Sequence, residues 1–174
     1  AKVGGIDSRV MLGRAVKVGD KAVNGVIGIK PVHLVDKSAE ADIPKVEDLY
    51  IDIGAKDKAE AEEYVRPGDA AWFASDFVEF GNGFVKAKAL DDRAGVAAIL
   101  RCLELIRDKE LNCKISVMFS VQEETGGSGA QTGAFSAQAD EAIAVDVSFA
   151  AAPGISSEKY ASLGSGTMIG PRST

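Results

Sequence analysis

Past residue 83 the chain changes character, and that change constrains the fold more than any other feature. From Ala94 to Ile106, apolar residues recur at helical spacing: Val96, Ile99, Leu100, Leu103 and Ile106. Asp92 stands just before them, where an N-cap belongs. Lys114–Val121 and Ala142–Val147 are mostly apolar runs of strand length, the second broken only by Asp146. Between them, Gly126–Phe135 reads as a Gly-rich turn opening into a short helix. A helical period alternating with unbroken apolar runs predicts an α/β layer on a buried sheet, because a strand covered on both faces has no polar side. Residues 1–82 read differently. Ala15–Val18, Val26–Ile29, Leu49–Ile53 and Ala70–Ala74 are short runs punctuated by Gly, Pro and Asp, the pattern of strands and turns. Asp57–Tyr64, rich in Ala, Glu and Lys, predicts one short helix that stops before Pro67. Gly81-Asn82-Gly83 predicts a turn between Phe77–Phe80 and Phe84–Ala89. The expected division is a β-rich domain over residues 1–82 and an α/β domain over 83–174.

Composition narrows the function. Hydrophobic residues are 46% and charged residues 26% of the 174, a globular balance. Residues 36–63 hold ten acids against four lysines, so this stretch carries the whole net charge of −6. It reads as a solvated face. A nucleic-acid partner needs a basic face, and none is visible. No apolar run approaches the roughly 18 residues of a membrane helix, and no charged-then-apolar leader opens the chain. Membrane and secretory readings are therefore not expected. Cys102 and Cys113 make no CxxC and no disulfide framework, which points to free thiols in the cytoplasm. His33 is the single histidine, so no imidazole-rich site arises from this chain alone.

The chemistry-bearing candidates are acids in costly places. Asp91-Asp92 lies where a strand gives way to a helix. Glu123-Glu124 follows the apolar run Ile115–Val121, and Asp146 interrupts another. An unpaired buried carboxylate is expensive, and the carboxyl ends of strands in an open α/β sheet form the usual ligand crevice. A divalent cation would satisfy three such acids at once. Plainer roles stand beside this one: Asp92 as a helix cap, Glu123 and Glu124 as surface turn residues, Asp146 as a satisfied core acid. Adjacent Glu123 and Glu124 point to opposite sides of an extended strand end. One can then bind a metal while the other takes a proton from the attacking water. The Gly-rich stretches starting at Gly127 and Gly164 read GxGxxxG, one residue too long for a dinucleotide fingerprint, and neither carries the GK[ST] of a P-loop. No nucleophile elbow is present. Adjacent glutamates and a single Trp72 argue against a glycosidase, which needs two carboxyls flanking the bond.

Taken in order, these motifs resemble one family. Ala89-Leu90-Asp91-Asp92-Arg93-Ala94-Gly95, Val121-Gln122-Glu123-Glu124-Thr125-Gly126 with Gly129-Ala130, and Ala144-Val145-Asp146-Val147-Ser148 are similar to the M42 metallo-aminopeptidases. These are also known as glutamyl aminopeptidases and often labelled endoglucanase M. Gly4-Gly5-Ile6-Asp7, Gly25-Val26-Ile27-Gly28, Lys30-Pro31-Val32-His33-Leu34 and Leu163-Gly164-Ser165-Gly166 extend the likeness along the chain. The resemblance implies a partial α/β/α catalytic domain with an inserted, barrel-like dimerisation domain. It implies two divalent metal ions, zinc or cobalt foremost, with manganese or magnesium as further options. Asp91 would be the bridging ligand, with Asp92 behind it across a peptide bond that is often cis. Glu124 and Asp146 would each bind one metal, and Glu123 would be the general base. The implied substrates are peptides trimmed from the N-terminus. The implied assembly is a cytoplasmic homo-oligomer, dimers building a dodecamer. The family's two histidine ligands have no counterpart here, and His33, in the KPxHL segment, is not one of them. The chain thus reads as an internal portion of a family member. Three carboxylates alone make a hard, oxygen-only site, better suited to magnesium or calcium than to zinc. The alternative is a catalytically inactive module for oligomerisation or peptide binding.

Overall fold

The computed structural model describes residues 2–34 and 43–169. Of the acidic stretch, Asp36, Lys37, Glu40 and Asp42 lie outside the described residues, as does Gly170 at the end of the second GxGxxxG. The chain divides into two compact units, Ala1–Lys88 with Ser120–Ala137, and Ala89–Phe119 with Gln138–Thr174.

The first unit is built on a four-stranded antiparallel sheet. Its strands are β1 (Ala15–Val18), β2 (Val23–Ile29), β3 (Leu49–Asp52) and β4 (Ala71–Phe73), in the order β3-β2-β1-β4. Three of the four lie within a residue of the runs read from sequence at each end; β2 starts three residues earlier. Side chains alternate across a strand, so Val16 and Val18 turn inward with Ile27, while Lys17 between them donates to Asn24 Oδ1 on the paired strand at 2.6 Å. Val16, Val18 and Ile27 form the core, and Met11, Leu49, Ile53, Val65 and Phe73 pack against it. Helix α1 (Lys58–Tyr64) starts where Asp57 accepts from the Glu60 N–H at 2.9 Å, and Glu60 reaches back to the Lys56 N–H at 2.9 Å. The first bond satisfies a donor that a helix start leaves open, and the second ties the residue before the cap to the first turn. The predicted turn at residues 81–83 joins β5 (Val78–Phe80) to β6 (Phe84–Lys86), with the Phe80 and Phe84 rings stacked 5.8 Å apart. The barrel-like closure implied by the resemblance is not found: among the described residues β3 and β4 remain unjoined edges of an open sheet. Four strands of three to seven residues have neither the number nor the length to close around a filled interior.

The second unit carries helix α2 (Leu90–Ile106). Its regular part begins after Asp92, as the spacing predicts, and Val96, Ile99, Leu103 and Ile106 form its half-buried face. The apolar runs at 114–121 and 142–147 correct the sequence reading. Neither is a strand, because neither has a ladder partner among the described residues. Hydrophobicity fills a sheet's faces, but the ladder needs a neighbouring backbone. The runs are consequently exposed, Ile143 at 91%. One isolated parallel bridge, Ala150 to Ala161, is present in this unit.

Candidate active site

Two backbone devices hold the acidic motifs. Ahead of Asp91, Ala89 takes the left-handed conformation at φ 58°, and the Asp91–Asp92 peptide is cis, as the family resemblance implies. Asp91 and Asp92 both lie outside helical φ/ψ space. Asp92 Oδ1 then accepts from the Gly95 N–H at 3.1 Å, which caps the regular helix. The plain reading of Asp92 as a cap therefore holds. Asp91 is exposed and Asp92 half-buried.

Glu123 and Glu124 lie in a tight turn, Glu123–Thr125, bracketed by left-handed Gln122 and Gly126. The Gly126 N–H donates to Glu123 O at 3.1 Å and the Gly127 N–H to Gln122 O at 2.8 Å, while the Ser128 hydroxyl donates to Gln122 Oε1. Helix α3 (Ser128–Ala137) follows at once. Gly129 explains the glycine richness: a Cβ there would collide with the Val121 backbone, whose nitrogen would be 2.8 Å away. The strand-end geometry expected for the glutamates is thus a turn, pinned by main-chain bonds on its C-terminal side. Of the four non-glycine residues with positive φ among the described residues, Ala89 and Gln122 stand beside the two paired-acid motifs. Left-handed backbone at non-glycine positions concentrates at functional sites, and sequence reading misses it because neither Ala nor Gln announces it.

Asp91, Asp92 and Asp146 belong to the second unit, Glu123 and Glu124 to the first. Among the described residues, no three His, Cys, Asp or Glu side chains gather as a metal-holding group. Asp146 is exposed and accepts from the Val147 N–H at 2.7 Å, so the expectation that it sits in a buried run is corrected. With no sheet around residues 142–147, the acid stays in water. His33 is exposed on the short turn Val32–Leu34. The carboxylates of Asp91, Glu123 and Glu124 have neither a hydrogen-bond donor nor an ion-pair partner among the described residues. Such open anionic oxygens fit a divalent cation.

The mixed α/β chain is similar to peptidases of known structure. The Pyrococcus horikoshii TET1 peptidase is 39% identical with a TM-score of 0.75, over 91% of this chain and 48% of that one. A protein of Acetivibrio thermocellus provisionally named an aminopeptidase is 39% identical over 83% of this chain and 41% of its own length. The lysyl aminopeptidase of Pyrococcus furiosus is 32% identical over 84% of this chain and 43% of its own. The model of the M42 glutamyl aminopeptidase family matches residues 1–172. The chain belongs to the M42 family. It spans about two fifths of the length of these curated relatives. No helix among the described residues is long and apolar enough to cross a membrane.

Proposed function

We propose that this chain supplies the acidic part of a dinuclear metallo-aminopeptidase site that removes residues from peptide N-termini. The observation that carries this reading is a family match that runs through all three acidic motifs. Asp91, Glu124 and Asp146 would hold the two divalent ions, zinc or cobalt with manganese or magnesium as alternatives. When bound, the cations acidify water and polarise the scissile carbonyl. Glu123 accepts the proton of the attacking water on its carboxylate and returns it to the leaving amine nitrogen. Asp92 fixes the start of α2 and so the backbone of Asp91. The β-rich residues 1–82 serve dimerisation and residues 83–174 catalysis, in a cytoplasmic homo-oligomer. The P. horikoshii TET1 peptidase, which can assemble into a tetrahedron or a large octahedral shell, supports the oligomer.

One observation favours a second reading, a non-catalytic oligomerisation or peptide-binding module: His33 is the single histidine of the chain and is exposed on a short turn, so the acids have no imidazole beside them in the sequence motifs. The two readings separate in a hybrid where this chain replaces the matching part of the A. thermocellus relative. An active site requires that aminoacyl-p-nitroanilide hydrolysis vanish with a chelator and return with zinc or cobalt. Hydrolysis indifferent to chelation, or a hybrid that assembles and binds metal without turnover, contradicts it.

A further inference from the structure

The glutamate turn is held from its C-terminal side by Gly126, Gly127 and Ser128. Its other flank meets a segment far away in sequence. Gly4 sits at φ +74°, and an ideal Cβ there would be 3.4 Å from Glu124 O, 3.5 Å from Glu124 Cβ and 3.6 Å from Glu124 Oε2. The N-terminal loop therefore runs beside Glu124, near enough that a side chain at position 4 would touch its main chain and carboxylate, within the same compact unit. Local bonds shape the loop just beyond. The Ile6 N–H donates to Gly4 O at 3.3 Å, and Asp7 accepts from the Arg9 N–H at 2.9 Å and from the Arg9 guanidinium at 2.6 Å.

We propose that Gly4 is a positioning residue for Glu124: its left-handed, side-chain-free backbone closes one side of the carboxylate and limits the rotamers from which Glu124 binds a cation. This rests on Glu124 being a cation ligand. A glutamate on an exposed turn otherwise loses much rotamer freedom on binding, and a wall beside it removes part of that loss beforehand. An added methyl puts atoms against the ligand and strains the backbone.

Gly13 provides the control. It has nearly the same φ, +70°, and nothing within 4 Å of its Cβ position, so Gly13→Ala carries the backbone strain without the contact. The test is cobalt(II) titration of the hybrid enzyme that carries this chain, followed by visible absorption and calorimetry, with urea unfolding alongside. Gly4→Ala is expected to weaken cobalt binding about tenfold, the scale seen when support around a ligand is lost, and to alter the cobalt absorption band. Gly13→Ala is expected to show a similar loss in urea midpoint with unchanged affinity and band. If Gly4→Ala binds as the wild type does while Glu124→Ala does not bind, the positioning role is overturned and the ligand role stands. If Glu124→Ala binds normally, or the wild type takes up no cobalt, the ligand role fails and takes the proposal with it. Should Gly4→Ala not fold, the pair Gly4→Cys with Glu124→Cys decides, in a Cys102→Ser, Cys113→Ser background. Its Cβ separation falls within the disulfide range of about 3.5–4.5 Å, so a cross-link mapped by mass spectrometry is expected, and a folded protein that fails to form one overturns the contact.

Discussion

Truncating Ile27 to Ala probes the packing that orders the first unit. Ile27 is 4% exposed, in a core that among the described residues it shares with Val16 and Val18. Its main chain is engaged independently of the side chain, donating to Arg14 O at 3.0 Å and accepting from the Gly13 N–H at 2.9 Å, so the substitution leaves the ladder in place. Ile→Ala removes three carbons, about 2.4 kcal/mol at about 0.8 kcal/mol per buried methylene. A cavity contribution then brings substitutions of this kind to roughly 2–5 kcal/mol. We expect about 3 kcal/mol, because a core of three residues walled by half-buried neighbours collapses partly into the gap. The neighbouring Val26 points the other way and is 49% exposed, so Val26→Ala should stay within about 0.5 kcal/mol. Urea unfolding followed by Trp72 fluorescence reports on this sheet, since Trp72 pairs with Lys17 across β4 and β1. With a slope of about 1–3 kcal/mol per molar, the Ile27 midpoint should fall by about 1–3 M at unchanged slope. Equal, small shifts for both variants would refute the inward–outward assignment of β2.

Other perturbations have equally definite outcomes. Asp92→Ala removes the cap on the Gly95 N–H and should lower stability by about 1 kcal/mol, with reduced helical circular dichroism. Gly129→Ala drives a methyl into the Val121 backbone and should destabilise by about 1–3 kcal/mol, read as a lowered urea midpoint. The Asp7 carboxyl is held down to about 2 from 3.8, first by the side-chain hydrogen bond from Arg9. The folded pKa is depressed, so the stabilising pair is complete above the unfolded value of 3.8 and is lost as pH falls through about 2. Carboxyl carbon chemical shifts should titrate there, and Arg9→Ala should return Asp7 to the ordinary carboxylate range.

Local rules made much of the first unit legible. Apolar runs cut by Gly, Pro and Asp located β1 to β4, Asp57 marked the start of α1, and Gly81-Asn82-Gly83 marked the hairpin turn. Each depends on chemistry within a few residues. The runs at 114–121 and 142–147 have the same local signal, but whether an extended run becomes a strand depends on a backbone beside it, which a one-dimensional pattern does not contain. The same limit applies to the site. Acid identity and order were readable, and Asp92 as a cap followed from its place before Val96. The left-handed Ala89 and Gln122, and the approach of Gly4 to Glu124, come from tertiary fit and leave no mark in composition or period.

In the mechanism proposed above, Glu123 moves the proton while Asp91, Glu124 and Asp146 hold the metal. Measuring turnover and metal content together in the hybrid enzyme, with and without Glu123→Gln, tests it most directly. Gln keeps the shape of Glu but accepts no proton at neutral pH. Hydrolysis is expected to fall by at least about a hundredfold, within the range for loss of a general base, with the bound metal retained. Full turnover in the variant, or loss of its metal along with its activity, would contradict the assignment.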